Sequence, residues 1–176
     1  MKRVSLSGLE KSLSTVWKWY VYQSELSLSA KSRIRQQLLA GSLAADPVFF
    51  GMTLEEVDDF FRELDLLTIL DLLAAAEAAI RVDFLNRAYQ GRGSSVAVDF
   101  RKLYKKQGPR VRLDEHILET WTKHRRAARS AVSDFRGALK LRHWLAHGRY
   151  WTPKFRINYS PGDVFDIASN LLAAID

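Results

Sequence analysis

The chain of 176 residues contains no cysteine. This absence excludes disulfide bonds and thiolate metal ligands, and it fits the reducing cytoplasm, where we expect the protein to act. No stretch approaches the roughly 18 consecutive apolar residues that a membrane-spanning helix requires, so we predict no membrane association. The amino-terminal segment has a basic start but lacks the apolar core of a signal peptide.

Strand patterns are also scarce, whereas apolar residues recur with helical spacing along most of the chain. We therefore predict an all-α fold, an up-and-down bundle of four core helices with additional N-terminal helices. A single domain should span residues 1–176, with 1–52 as an N-terminal helical extension and 53–176 as the core bundle. Apolar residues make up 47% of the chain, which is sufficient for a packed core without disulfide cross-links.

Local signals predict where several helices begin. Thr53 and Glu56 form a capping box ahead of a long helical pattern over 54–88, whose segment 66–80 is apolar on nearly all sides and so should be central. Ser160 and the three residues after it should open the last helix. The other predicted helices are 7–29, a short one from Ser29 or Ser32 to Gly41, 96–106, 115–129 after an Asp114 cap, and 133–147, with loops at 41–52 and 91–95 and a short extended piece at 155–159.

The charge balance favours a polyanionic partner. The formal net charge is +7 and the sequence pI is about 9.8, which is typical of nucleic-acid-binding proteins, although a basic solvated surface would give the same numbers. One basic segment occupies 101–112. Another lies upstream of the motif described next, and we predict that its cations bind RNA phosphates: Lys123, Arg125, Arg126, Arg129, Arg136 and Lys140.

The most informative motif is the run Arg142-His143-Trp144-Leu145-Ala146-His147-Gly148. Arginine is a permanent cation that matches phosphate oxygens, and histidine exchanges a proton near neutral pH. Together they suit metal-independent cleavage of a phosphodiester. Arg142 and His147 are five positions apart on a helix, which places them about 140° apart around its axis. They therefore lie on either side of one edge of the helix rather than on the same face. The simpler interpretation is a helix end whose cations complement the macrodipole.

This run resembles the Arg-polar-x3-His signature of the HEPN superfamily, in which a polar residue follows the arginine and small residues bracket the histidine. His143, Ala146 and Gly148 match those positions. The earlier helix with Glu77 and Arg81 is similar to the acidic helix that faces the motif in such domains. The resemblance covers roughly residue 54 to the C-terminus, and it is strongest at 142–148.

The resemblance implies a metal-independent endoribonuclease without a cofactor, acting as a toxin or defence-system effector. His147 would be the general base, Arg142 would stabilise the phosphorane, and His143 would orient the phosphate. Glu77 would hold Arg142 in place, with Arg81 beside it. The family also implies a homodimer and RNA as substrate. A further alternative is control by an antitoxin partner of the nucleotidyltransferase type that modifies a residue such as Tyr150.

The sequence departs from the family at one position. Ribonucleases of this family often extend the motif as His-x-Tyr, but here Arg149 stands at the tyrosine position and Tyr150 follows one residue later. A non-catalytic module that binds RNA, nucleotide or protein is therefore the alternative function. His143 and His147 also have the i, i+4 spacing of a zinc site, but Trp144 stands where a zincin has glutamate, so we predict no metal.

Overall fold

A computed structural model describes residues 3–41, 53–90, 93–152 and 158–176 of the chain. Over these ranges the protein is all-α and contains no strand, which confirms the predicted fold class. The α-helices are α1 (Leu13–Leu39), α2 (Leu54–Tyr89), α3 (Ser95–Gln107), α4 (Glu119–His124), α5 (Ala128–Ala146) and α6 (Pro161–Ile175). A π-helical turn, Leu113–Leu118, runs directly into α4.

Helix α2 is the centre of the bundle, as its apolar segment predicts. It packs against α1, α3, α5 and α6. The side chains of Leu72, Ala76 and Ile80 are fully buried along it. Because α2 is covered on several sides, any polar residue in its middle must find a partner on a neighbouring helix.

Both predicted caps are present. The Thr53 hydroxyl accepts a hydrogen bond from the Glu56 amide at 3.2 Å, and the Glu56 carboxylate accepts one from the Thr53 amide at 2.7 Å. Ser160 and Asp163 form the same arrangement at the start of α6. In each pair the hydrogen bond from the backbone amide lowers the pKa of the carboxyl group.

Four predicted helix boundaries are wrong. Helix α1 begins at Leu13 rather than residue 7, and it continues through Ser29 and Ser32 without interruption, so the described part of the N-terminal extension holds one helix rather than two. The break before the motif helix lies at Arg125–Ala127 instead of between residues 129 and 133, and Arg112 rather than Asp114 precedes the π-helical turn. Apolar packing explains the continuity of α1 and the position of the break, since Ile34 is buried against Phe61 and Ala128 is already part of the core.

All of the predicted loop at 41–52 except Gly41, the Gly91–Arg92 part of the next loop and most of the extended piece at 155–159 lie outside the described residues. Among the described helices, none combines the length and apolar character needed to cross a bilayer.

Candidate functional site

One side of helix α5 is apolar and packs against the bundle, which leaves the other side, with the two histidines of the motif, exposed to solvent. Val132, Phe135, Ala138 and Leu141 are buried at helical spacing and pack α5 against α2 and α6. The opposite side forms a continuous exposed stripe. Positions at intervals of three or four residues place Arg129, Ser133, Arg136, Lys140, His143 and His147 along it.

The end of α5 is fixed by two residues with positive φ. His147 is the C-cap and donates its amide to the His143 carbonyl at 3.1 Å. Gly148 follows at φ 78° and Arg149 at φ 58°, and the Arg149 amide bonds to the Trp144 carbonyl at 3.2 Å. The prediction that Gly148 ends the helix immediately after His147 is confirmed.

The two histidines of the motif lie side by side in solvent. Their ring centroids are 4.2 Å apart with the planes at 53°, and both residues are exposed. The Trp151 ring lies 6.0 Å from His143, and the Trp151 carbonyl accepts a 2.8 Å hydrogen bond from the Trp144 indole. The chain after the motif thus folds back over the end of α5 beside the imidazoles.

Glu77 of α2 lies between two arginines, as the sequence interpretation requires. Its carboxylate accepts a hydrogen bond from Arg81 Nε at 3.0 Å and pairs with Arg142 Nη2 at 3.4 Å. Arg81 also donates to the Val111 carbonyl at 3.0 Å. Glu77 is 19% exposed, whereas both arginines are 37% exposed. The more buried carboxylate of Glu77 therefore binds two arginine side chains that extend toward the surface.

Arg142 and His147 belong to different sides of α5. Arg142 points toward α2 and Glu77, and its Nε is buried without a hydrogen-bond partner among the described residues. His147 lies on the exposed stripe against His143. The structure thus brings Glu77 and Arg81 of α2 together with Arg142 of α5 as one group, and His143 and His147 together as another on a different side of α5.

The six cations predicted to bind RNA divide into two kinds. Three of them have internal acceptors: Lys123 binds Asp99, Arg125 donates to the Ala174 and Asp176 carbonyls, and Arg136 binds Asp114 and Glu119. Burial lowers the pKa of Arg136, but hydrogen bonds to Asp114 and Glu119 outweigh it and leave that pKa raised.

The other three are exposed. Arg129 makes one long hydrogen bond, 3.4 Å, to the Thr122 carbonyl. The side chains of Arg126 and Lys140 are exposed and make no ion pair or hydrogen bond within the described part of the chain. The exposed cations on the stripe with the two histidines are thus Arg129 and Lys140, together with the partly engaged Arg136.

Tyr150 and Arg149 diverge beyond the helix end. Tyr150 is 82% exposed and makes an edge contact with the Trp151 ring at 4.7 Å. Arg149 turns toward α2 and pairs with Glu63 at 2.6 Å, and this hydrogen bond raises the pKa of the guanidinium. The Arg149–Glu63 pair borders a groove of about 490 Å³ that Trp144 also lines.

Sequence reasoning missed the role of Glu63, whereas it placed Trp144 and Trp151 on either side of the site. Glu63 holds the strained backbone after the motif, and the only signal for it was the surplus of carboxylates on the first half of α2. Among the described residues, no group of three or more histidine, aspartate or glutamate side chains is arranged to hold a metal ion.

Comparisons with known proteins add no relative. No family model matches the chain, no curated protein matches it, and no solved structure matches it.

Proposed function

We propose that the protein is a metal-independent endoribonuclease whose active site is the exposed end of α5. The observation that carries this proposal is the pair of solvent-accessible imidazoles, 4.2 Å apart, on the same helix end as an arginine that Glu77 holds on the side facing α2. Imidazoles in water near neutral pH can both accept and donate protons, which is the chemistry that RNA cleavage needs.

In the proposed reaction, His147 accepts the proton of a ribose 2′-hydroxyl. The 2′-oxygen then attacks the adjacent phosphorus, the bond from phosphorus to the 5′-oxygen breaks, and that oxygen takes a proton from water. The resulting hydroxide takes the proton from His147, which restores the base. The products are a 2′,3′-cyclic phosphate and a 5′-hydroxyl. His143 orients the phosphate. DNA lacks the attacking hydroxyl and is not cleaved.

Arg142 supplies fixed positive charge to the phosphorane. A guanidinium has five N–H donors, and the Glu77 contact uses one of them, which leaves donors for a phosphate oxygen. The ion pair with Glu77 holds the Arg142 side chain in one orientation toward α2, so that less rotamer entropy is lost when RNA binds.

The stripe on α5 guides the substrate. Arg129, Arg136 and Lys140 lie on the same exposed side as the two histidines and neutralise phosphates without reading sequence. Arg126 adds an exposed cation at the start of the helix, and Lys123 and Arg125 add charge although their donors are engaged internally.

The HEPN resemblance extends the proposal to its biological setting. The protein would act in the cytoplasm as a toxin or defence effector and pair two motifs across a homodimer. A nucleotidyltransferase-type antitoxin would silence it by modifying Tyr150, whose side chain is exposed.

The test is cleavage of structured and single-stranded RNA by pure protein in excess EDTA, with DNA of the same sequence as a control. We expect His147→Ala to lower the rate about 10²- to 10⁴-fold, and Arg142→Ala to lower it by a similar factor. The matched control is His124→Gln, which removes a histidine from another surface. Cleavage by His147→Ala at the rate of the unchanged protein would overturn the mechanism.

A second candidate is a non-catalytic module that binds RNA, nucleotide or protein at the same surface. The observation that favours it is the separation of Arg142 and His147 onto different sides of α5. Binding without cleavage that survives His147→Ala but weakens in Lys140→Ala would support this function instead.

A further inference from the structure

A second histidine cluster lies away from α5, where the start of α3 meets the end of α4. The Ser95 Oγ is 3.0 Å from His124 Nδ1, and His124 Nε2 is 2.8 Å from an Asp99 carboxylate oxygen. A hydroxyl, an imidazole and a carboxylate are thus joined in series. This is the arrangement by which proteins activate serine as a nucleophile.

The fold holds the three groups firmly. Ser95 and Asp99 are one helical turn apart on α3, and His124 is the last residue of α4. The rings of Phe100 and Trp121 pack the two helices together, edge to face at 5.5 Å. The His124 side chain is only 16% exposed, whereas Ser95 is exposed. The base is therefore sheltered while the hydroxyl faces solvent.

The charges around Asp99 set the tautomer of His124. The hydrogen bond from His124, followed by those from Lys123 and Lys102, holds the pKa of the Asp99 carboxyl well below its usual range. An ionised carboxylate only accepts hydrogen bonds, so His124 Nε2 must carry the proton. In the neutral ring Nδ1 then has its lone pair free and accepts the Ser95 proton.

The backbone beside Ser95 offers donors for developing negative charge. Ser95 is the first residue of α3, and the amides of a first helical turn have no acceptor within the helix. The Ala97 amide is already used by the Ser94 hydroxyl, at 3.5 Å. The Ser95 and Val96 amides are the ones placed next to the nucleophile, where an oxyanion would form.

We propose that Ser95, His124 and Asp99 form a second active site, in which Ser95 attacks carboxylic esters of small acyl groups. The Ser95 oxygen bonds to the ester carbonyl carbon while its proton passes to His124 Nδ1. The carbon–oxygen bond to the alcohol then breaks, and the alcohol leaves with that proton. Water, deprotonated by His124, attacks the acyl-serine, the acid is released and Ser95 recovers its proton.

In this site Ser95 and His124 are catalytic residues, because they contact the reacting atoms. Asp99 is a positioning residue that acts through His124. The open location of Ser95 argues for small acyl groups, since a large one would find solvent instead of a pocket. The site requires neither RNA nor the motif on α5.

The probe is diisopropyl fluorophosphate, which phosphorylates activated serines with loss of fluoride; mass spectrometry of peptides locates the adduct. We expect the intact protein to be labelled at Ser95 much faster than at Ser130, an exposed serine near the start of α5. His124→Gln should slow labelling at Ser95 at least about 10²-fold. Hydrolysis of 4-nitrophenyl acetate should disappear in Ser95→Ala and persist in Ser130→Ala.

The role of Asp99 is read from the ring nitrogens of His124 by ¹⁵N NMR. The intact protein should show the Nε2–H tautomer, and Asp99→Asn should shift it toward Nδ1–H and slow labelling, because the base then has no lone pair for Ser95. Circular dichroism establishes that each variant is folded. The second active site would be overturned if Ser95 were labelled no faster than Ser130, or if the rate of labelling at Ser95 were unchanged in folded His124→Gln. The cluster would then serve only to connect α3 and α4 through hydrogen bonds.

Discussion

The two histidine sites of this molecule are built in opposite ways. At the end of α5, His143 and His147 are exposed and contact one another through their rings. Between α3 and α4, His124 is sheltered and both of its ring nitrogens have a partner, Ser95 on one side and Asp99 on the other. One site has free proton-exchanging groups on an open surface, and the other has a single imidazole locked in one orientation.

The two sites differ in how far the isolated chain already orients their histidines. The neighbours of His124 dictate its tautomer, so this site is preorganised in the isolated chain. The rings at the end of α5 contact one another on the exposed side of the helix, whereas Arg142 reaches toward α2 and pairs with Glu77. A long polyanion could span both parts of that surface, whereas a small ester could not. The exposed rings beside a row of cations therefore fit the proposed RNA substrate, and the exposed Ser95 beside a sheltered imidazole fits the proposed small ester.

The most direct test of this comparison measures both activities, RNA cleavage and labelling of Ser95, in a variant of each histidine site. His147→Gln should reduce RNA cleavage about 10²- to 10⁴-fold and leave labelling of Ser95 by the fluorophosphate unchanged. His124→Gln should do the reverse. Both assays are run on both proteins. If either variant reduces both activities while remaining folded, the two sites are not independent.

The next largest effect concerns the anchor of Arg142. Glu77→Gln removes the charge that two arginines share, and we expect a loss of about 1–2 kcal/mol in the free energy of unfolding, measured in urea. The matched control is Glu63→Gln, which breaks the more exposed pair with Arg149 and should cost less than about 1 kcal/mol. A Glu77→Gln protein as stable as the control would show that the carboxylate does not anchor Arg142.

Two glycines with positive φ allow the two sites to be compared through the backbone, because each one ends a helix that carries part of one site. Gly148 ends α5 at φ 78° and Gly108 ends α3 at φ 65°, and a Cβ would meet no atom within 4 Å at either one. Alanine at each position should therefore cost about 1–2 kcal/mol through backbone strain alone. RNA cleavage should fall in Gly148→Ala, which moves the histidines, and not in Gly108→Ala. Equal cleavage by the two variants would contradict a site at the end of α5.

The smallest expected effect is the pH dependence of stability that Asp99 contributes. Its pKa is lowered in the folded protein, chiefly by the hydrogen bond from His124, so its stabilisation is complete above the unfolded pKa of about 3.9. That stabilisation is lost as the pH falls further, toward the folded pKa. The difference in unfolding free energy between the chain and Asp99→Asn should be constant from pH 6 to pH 5 and shrink from pH 4 to pH 2. A constant difference over the whole range would mean that Asp99 is not held ionised by its neighbours.

Much of the fold is predictable from local signals. Thr53 and Ser160 mark helix starts because their side chains satisfy amides three residues later, and the segment 66–80 marks the central helix because it is apolar on all sides. The continuity of α1 through Ser29 was not predictable, since it depends on Ile34 packing against Phe61 from a distant part of the chain. Likewise, the break before α5 lies at Arg125–Ala127 because Ala128 is drawn into the core.

The candidate site shows the same division. The spacing of Arg142, His143 and His147 predicts their order around the helix, and the buried position of Glu77 predicts a cationic partner. The sequence contains no signal for the Arg149–Glu63 pair, and none for Ser95 meeting His124, because these residues are 86 and 29 positions apart. Contacts over such separations arise from helix packing rather than from local pattern.

The amino-acid sequence alone determines that this chain is helical, basic and free of thiol chemistry, and that an arginine and two histidines share the end of one helix. These properties follow from composition and from the geometry of a single helix. Tertiary packing decides that Arg142 turns inward to Glu77 while His147 remains in water, and that Ser95, Asp99 and His124 meet. Side chains on different helices are brought together only when the apolar faces between them are buried.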